Sequence, residues 1–131
     1  MDQKCGILFD LDGVFYVSNQ AIDGGQKLIN SLRNKSIPFR FLTNTTTKTR
    51  REIREKLGSF GLLIDEKEIF SAAYIGINYL RSIGSPPCHL LIHDNIYSDY
   101  SEFDVHDRKP KFVVIGDRGN KWSYNDLNKA F

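Results

Sequence analysis

The apolar positions of the chain form short blocks that alternate between strand-like and helix-like spacing. Residues 5–9 form a nearly continuous apolar run that stops at acidic residues, which predicts a strand buried on both faces of a parallel sheet. From about Gly24 to residues 34–36, apolar side chains gather on one helical face. Residues 37–42 then predict a second strand. Strand, helix and strand in this order indicate a right-handed parallel crossover, and therefore an α/β fold.

The rest of the chain continues the alternation. Residues 48–60 predict a charged amphipathic helix, and residues 66–83 predict another helix with a break near Ser71. A Gly-Ser-Pro-Pro sequence at residues 84–87 predicts a turn.

Two strands and a short helix are predicted after that turn. Residues 88–92 and 111–115 have strand patterns, and Ser123 is a good N-cap for a final helix that stops at Phe131. A helix that ends so soon after it starts indicates a truncated chain.

Composition narrows the possible functions. With 131 residues, 40% hydrophobic and 26% charged, the chain suits one compact unit or a fragment. A formal net charge of +2 gives no support for nucleic-acid binding. No apolar run approaches the roughly 18 residues of a membrane span, and residues 1–4 lack the features of a secretion signal. We therefore expect a cytoplasmic protein without a membrane partner. Cys5 and Cys88 are predicted to be small buried hydrophobic residues outside any disulfide.

Two carboxylates, Asp10 and Asp12, follow the first predicted strand at positions i and i+2. The carboxyl ends of parallel strands are where α/β sheets build their sites. In a continuing strand the two side chains would share one face, and bound Mg²⁺ would offset their repulsion. Asp10 could then attack an electrophilic phosphorus, while Asp12 could transfer a proton. Gly13 would let the backbone bend sharply enough for both to reach one centre.

The second predicted strand also ends in polar residues, Thr43 and Asn44. A hydroxyl, an amide and free backbone N–H groups at this edge suit phosphoryl oxygens. Polar residues after a strand are also common in ordinary turns, so this assignment gains its weight from Asp10 and Asp12.

These segments resemble the motifs of a known family. Residues 9–14 (FDLDGV) resemble the first motif of the haloacid dehalogenase superfamily, and residues 42–44 (LTN) resemble its second. Residues 68–71, 113–116 and 124–131 look like the subgroup that carries a large cap inserted after the second motif. The likeness covers nearly the whole chain, as the N-terminal half of proteins about twice as long.

The resemblance implies a fold, a division into domains and an activity. The fold would be a Rossmann-like parallel-sheet core with an inserted α/β cap, residues 1–72 being the first part of the core and residues 73–131 the first part of the cap. The activity would be that of a Mg²⁺-dependent phosphatase working through an aspartyl-phosphate. By motif position, Asp10 would be nucleophile and metal ligand. Asp12 would be the acid/base, with its backbone carbonyl also on the metal, and Thr43 and Asn44 would hold the phosphoryl group of a small phosphorylated substrate.

The family pattern is incomplete in this chain. Its third motif supplies a Lys and its fourth supplies acidic metal ligands near a Gly-Asp pair, and we find neither. Gly116 and Asp117 resemble the fourth motif superficially, but Lys121 and Trp122 stand where a companion Asp is expected. The resemblance instead places them in the cap. A half-built cap would leave apolar surface exposed, so we also expect a homo-oligomer.

Three other interpretations were considered for the chain. The first remains open, and the other two disagree with the positions of the residues that they require. A non-catalytic binding or oligomerisation module is the main alternative to an enzyme. A phospho-accepting receiver domain would need an acceptor Asp on a middle strand, yet none occurs between Asp23 and Asp65. A metal site built from Cys88, His89, His93 and Asp94 matches no zinc spacing.

Overall fold

The computed structural model describes residues 5–131, and the four residues on which the secretion-signal prediction depends lie outside that range. The chain divides into two compact units. The first comprises the described part of Met1–Thr43 together with Arg50–Ser71, and the second comprises Asn44–Thr49 together with Ala72–Phe131.

The first unit contains five strands and two α-helices. They are β1 (Ile7–Asp10), β2 (Tyr16–Val17), β3 (Gln20–Ala21), α1 (Gly25–Asn34), β4 (Phe39–Thr43), α2 (Arg50–Ser59) and β5 (Ile69–Ser71). A three-stranded sheet has the order β1-β4-β5, and both pairings are parallel. Strands β2 and β3 form a separate antiparallel hairpin.

Aromatic and aliphatic side chains pack on one face of the three-stranded sheet. The ring of Phe15 meets the ring of Phe9 edge-on at 5.4 Å and that of Phe41 at 5.2 Å. Helix α1 adds Ile29 and Leu32 to this core because those two residues lie on its apolar stripe. The core therefore fixes the sheet, and with it the position of the strand ends.

Strand β1 is not buried on both faces as its sequence predicts. Ile7 is 37% exposed and Leu8 is 65% exposed, while Cys5 precedes the strand and is also exposed. Leu8 lies on the opposite face of the sheet from Phe9, and that face, which also carries the exposed Arg40 of β4, has no covering layer in residues 5–131. Strand β1 is also the edge of the sheet, paired only with β4 among the described residues. The apolar run predicts a strand correctly, but only one of the two covering layers that it implies is found in residues 5–131.

The predicted helix over residues 66–83 is wrong in its first part. Glu66–Glu68 form one turn of 3-10 helix begun by an Asp65 capping box, and Ile69–Ser71 are strand β5. Only the remainder, α3 (Ala72–Ser82), is α-helical. Parallel pairing of Phe41 with Ile69 holds these residues extended, which overrides their local helical pattern.

The second unit contains α3, two strands and a further α-helix, besides two 3-10 helices at Asp94–Tyr100 and Gly119–Lys121. The strands are β6 (Cys88–Leu91) and β7 (Phe112–Ile115), and the α-helix is α4 (Tyr124–Ala130). Strands β6 and β7 pair in parallel, with Cys88 opposite Phe112. A second apolar cluster, which includes Ile77, Leu80 and Tyr100, packs beside them. The mixed α/β architecture with parallel sheets agrees with the predicted fold class. Within residues 5–131, no helix has the length and apolar content to cross a membrane.

Candidate active site at the carboxyl edge of the sheet

Asp10 is the last residue of β1, where the strand pairs with Leu42 of β4. Its Oδ1 accepts a hydrogen bond of 2.8 Å from the N–H of Leu11. The Leu11 side chain is fully buried, which turns the chain inward directly after the strand. The Asp10 carboxylate consequently lies exposed at the carboxyl end of a parallel strand, where its position in the sequence predicts it.

A tight turn places Asp12 just beyond Asp10. Gly13 has φ +81°, a backbone conformation that residues with a Cβ adopt only at a cost in free energy. Its N–H donates to the Tyr16 carbonyl at 2.8 Å. Phe15, 1% exposed, donates its N–H to the Leu11 carbonyl at 3.0 Å. Backbone hydrogen bonds and a buried ring thus hold the turn, while Asp12 remains exposed.

Tyr16 closes the same turn and is 7% exposed. Burial raises the pKa of Tyr16, and the negative charges of Asp12 and Asp10 raise it further. The Lys56 ammonium lies 4.1 Å from the centre of the Tyr16 ring, so this aromatic residue also carries a cation on its face. Sequence reasoning did not single out Tyr16, because nothing local distinguishes it from a core aromatic.

Thr43 ends β4, the strand next to β1, and is 8% exposed. It pairs with Ser71, which ends β5 and is 1% exposed. Each of the three parallel strands therefore ends in an oxygen-bearing side chain. Ser71 was missed because the sequence indicates a break in a helix there. The pairing of β5 with β4 is a tertiary contact, and the spacing of apolar residues along the chain does not reveal it.

Asn44 follows Thr43 in the chain and is exposed. It is the first residue of the segment Asn44–Thr49, which belongs to the second unit. The structure thus brings Asp10, Asp12 and Thr43 to the carboxyl ends of paired strands in one unit, whereas Asn44 is assigned to the other.

The donor set at Asp10 and Asp12 fits Mg²⁺. Carboxylate oxygens are the hard ligands that Mg²⁺ prefers, and one or two of them suffice because the ion keeps several waters and binds substrate phosphates. In the part of the chain that the structure describes, no three His, Cys, Asp or Glu side chains come together as a complete metal cage. Two exposed carboxylates in one turn are therefore consistent with an ion bound only in part by protein.

The other acidic and histidine residues singled out in the sequence are engaged differently. Asp94 forms an ion pair with Lys121, whose hydrogen bond holds the pKa of that carboxyl below its usual range. His93 Nδ1 accepts the N–H of Asn95 at 3.2 Å. Cys88 is completely buried in the second apolar cluster.

A family model described as haloacid dehalogenase-like hydrolase matches residues 7–118. The rat phospholysine phosphohistidine inorganic pyrophosphate phosphatase is 35% identical over 130 residues, covering 96% of this chain and 47% of its own length. The rat haloacid dehalogenase-like hydrolase domain-containing protein 2 is 34% identical over 125 residues, with 95% and 47% covered.

A solved structure is also similar. A hypothetical protein from Pyrococcus horikoshii superposes with a TM-score of 0.86 at 28% identity, covering 95% of this chain and 52% of that protein. The chain thus spans about half the length of the relatives that it matches. The predicted family resemblance and the predicted α/β fold class are confirmed.

Proposed function

Because the chain belongs to the haloacid dehalogenase-like hydrolase family, we propose that it forms part of a Mg²⁺-dependent phosphatase that acts through an aspartyl-phosphate. The observation that carries the proposal is the turn after β1, which holds Asp10 and Asp12 exposed at the carboxyl end of a parallel strand. Two neighbouring carboxylates at the carboxyl end of a parallel strand can divide nucleophilic and proton-transfer roles between them. The phosphatase named among the relatives supports the same reaction class.

In the first step, we assign the attack on phosphorus to Asp10. Its Oδ1 accepts the Leu11 N–H, which fixes the orientation of the carboxylate. A bond forms between an Asp10 oxygen and phosphorus while the bond from phosphorus to the leaving oxygen breaks. Asp12 donates a proton to that leaving oxygen, and an aspartyl-phosphate on Asp10 results.

In the second step, water attacks the phosphorus of the aspartyl-phosphate. Asp12, now deprotonated, accepts a proton from that water, and the bond between phosphorus and the Asp10 oxygen breaks. Inorganic phosphate leaves and Asp10 is restored. The net reaction is hydrolysis of a phosphoric monoester or phosphoanhydride.

Charge on the phosphoryl group has to be offset for this chemistry. The Asp10 carboxylate and the Asp12 backbone carbonyl would hold Mg²⁺, which supplies positive charge to the phosphoryl oxygens when bound. The buried Thr43 hydroxyl and the Asn44 amide would hold the phosphoryl group by hydrogen bonds. Residues 73–131, the predicted part of a cap, would contribute to the choice among small phosphorylated substrates.

The test is hydrolysis of p-nitrophenyl phosphate by the natural full-length protein with Mg²⁺. Replacing Asp10 with Asn removes the nucleophile and keeps the side-chain shape, so kcat should fall by at least about 10³-fold. Asp23→Asn is the matched control, because Asp23 is an exposed carboxylate of the same unit outside the turn, and it should retain the wild-type rate.

Two further outcomes bear on the proposal. Chelation of divalent cations should reduce the wild-type rate to that of the Asp10→Asn variant, and added Mg²⁺ should restore it. An Asp10→Asn variant that turns over at the wild-type rate would show that the nucleophile is assigned wrongly.

A further inference from the structure

The turn that carries Asp12 is closed by the backbone of Tyr16. The Gly13 N–H donates to the Tyr16 carbonyl at 2.8 Å, and Asp12 and Tyr16 pair as an isolated β-bridge. The direction of the Tyr16 carbonyl therefore sets where the backbone of Asp12 and Gly13 lies. Whatever holds Tyr16 in place also holds the turn.

The side chain of Tyr16 is held by the carboxyl-terminal end of α2. Its ring is 7% exposed and lies 5.5 Å from the ring of Phe60, tilted by 45°. The Lys56 ammonium lies 4.1 Å from the centre of the Tyr16 ring and 5.8 Å from that of Phe60. A cation at this distance is attracted to the negative face of an aromatic ring. Lys56 and Phe60 are four residues apart, the spacing at which helical side chains are neighbours.

Helix α2 is a firm base for this contact, because its inner face is buried in the core of the first unit. Ile53 and Leu57 are 5% and 0% exposed, and both belong to the cluster that includes Tyr16. Lys56 precedes Leu57 directly, and its own side chain is partly buried, which strengthens the attraction between cation and ring. All of these residues belong to the same unit as the turn.

We propose that Lys56 is a positioning residue for Asp12 and acts through the Tyr16 ring. This inference rests on the proposed function, in which Asp12 protonates the leaving oxygen. The ammonium holds the Tyr16 ring, the Tyr16 carbonyl holds the Gly13 N–H, and the closed turn limits the orientations of Asp12. Without the cation the turn opens more often, so Asp12 is aligned for proton transfer in a smaller fraction of molecules.

A role that acts through Asp12 predicts an effect that depends on the leaving group. The 2,4-dinitrophenolate ion is weakly basic and leaves without a proton, whereas phenolate is strongly basic and needs one. Loss of the Lys56 cation should therefore slow the cleavage of phenyl phosphate and leave that of 2,4-dinitrophenyl phosphate nearly unchanged. The quantity to compare is kcat/KM, which includes the attack on phosphorus and the departure of the leaving group.

The experiment compares two disrupting variants of the natural full-length protein with two controls. Lys56→Met keeps the length of the side chain and removes its charge, and Tyr16→Leu removes the aromatic face. Lys56→Arg keeps a cation and should rescue the reaction of phenyl phosphate. Lys27→Met is the matched control, because Lys27 is an exposed lysine on α1 of the same unit.

Lys56→Met should lower kcat/KM for phenyl phosphate by about 3- to 10-fold, the strength of one cation–π contact, and that for 2,4-dinitrophenyl phosphate by less than about twofold. In the Tyr16→Leu background, Lys56→Met should have no further effect, because the ring through which Lys56 acts is gone. Hydrogen exchange of the Gly13 amide, measured without substrate or Mg²⁺, should be faster in Lys56→Met and unchanged in Lys27→Met.

A merely structural role would lower kcat/KM equally for both substrates, and that result would overturn the inference. A Gly13 amide that exchanges in Lys56→Met as it does in wild type would overturn it as well. Should Tyr16→Leu fail to fold, Lys56→Met and Lys56→Arg decide by the same measurements.

The outcomes separate this inference from the proposed function. If wild type is active, Asp10→Asn is inactive and Lys56→Met keeps the wild-type ratio of the two substrates, the role of Lys56 is refuted while the phosphatase stands. If wild type and Asp10→Asn are equally inactive, the phosphatase is refuted and the role of Lys56 in its site falls with it.

Discussion

The two parallel sheets both carry acidic residues at their carboxyl edges, but those residues differ in whether a basic side chain lies beside them. Each edge has a carboxylate that accepts a backbone N–H, Asp10 from Leu11 and Asp117 from Gly119. After β6, Asp94 is in addition paired with Lys121. After β1, in contrast, neither Asp10 nor Asp12 forms an ion pair with any basic side chain of residues 5–131. Both sheets are parallel, and the difference lies in whether a basic side chain already offsets the charge of the carboxylate.

This contrast separates an acidic residue that stabilises its own loop from one that is available for a ligand. A carboxylate with a cation beside it has its charge neutralised locally, and adding a metal ion there gains little. Two adjacent carboxylates without such a partner repel each other, and a divalent cation relieves that repulsion. The edge after β1 therefore offers carboxylates that a metal ion or ligand can bind, whereas the Asp94 carboxylate after β6 stabilises its own loop.

The largest expected effect comes from matched substitutions at the two edges. Asp12→Asn removes the proposed acid/base, so kcat for a phosphate ester should fall by about 10²- to 10⁴-fold. Asp94→Asn removes half of an exposed ion pair, which is worth little, and kcat should stay within about twofold of wild type. Steady-state kinetics decide the matter, and equal losses in the two variants would remove the distinction between the edges.

A smaller effect is expected from substituting glycine in the turn after β1, compared with the same substitution in the turn that contains Gly84. Gly13 and Gly84 have φ of +81° and +89°, and a Cβ at either position would meet no atom within 4 Å. Changing either to Ala should therefore lower the free energy of unfolding by about 1–2 kcal/mol through backbone strain alone. Only Gly13→Ala should also lower kcat, since its turn carries Asp12. Urea unfolding and kinetics on the same samples test this, and a normal kcat in a strained Gly13→Ala variant would contradict it.

The smallest expected effect is a loss of stability at alkaline pH, caused by a tyrosine buried in the second unit. Burial, followed by the charges of Cys88 and Asp99, raises the pKa of Tyr100 to about 12. Because the folded state then favours the neutral phenol, its contribution to stability is complete below pH 10 and is lost as the pH rises from 10 towards 12. Between pH 10 and 11 the loss should be about 1 kcal/mol. Tyr100→Phe should reduce this loss in urea unfolding series at each pH.

Tyr124→Phe is the control for the alkaline series, because Tyr124 is 85% exposed. Its stability should fall with pH as that of wild type does. A Tyr100→Phe variant with the wild-type slope would assign the alkaline loss to other groups. Tyr16 belongs to the first unit and responds also to Asp10 and Asp12, so its behaviour depends on the site, whereas that of Tyr100 follows from burial in a core.

The fold was predictable wherever local pattern and tertiary pairing agree. Helix α1 and strands β6 and β7 form close to their predicted bounds, since the apolar spacing and the punctuation by Gly and Pro point to the same structure. Strand β5 was missed because Ile69 to Ser71 continue directly into a helix, and only pairing with β4 makes them extended.

Some residues of the candidate site could likewise be predicted from the sequence, and others could not. The positions of Asp10, Asp12 and Thr43 at strand ends follow from the sequence, because a strand that stops at polar residues marks its own carboxyl edge. Tyr16 lies near the site because the Gly13 N–H closes a turn on the Tyr16 carbonyl, and Ser71 lies at the same edge of the sheet because β5 pairs with β4. Those two residues depend on contacts distant in sequence, so no local pattern could supply them.

The exposed edge of β1 has a consequence for handling the 131-residue chain by itself. An edge strand offers a row of N–H and C=O groups to any other extended segment, and exposed apolar side chains such as Leu8 strengthen that attraction. Natural edge strands are protected by charges, prolines or a covering layer, and Ile7-Leu8-Phe9 carries none of the first two. We therefore expect β1 to promote aggregation of this polypeptide, and Leu8→Lys to reduce it.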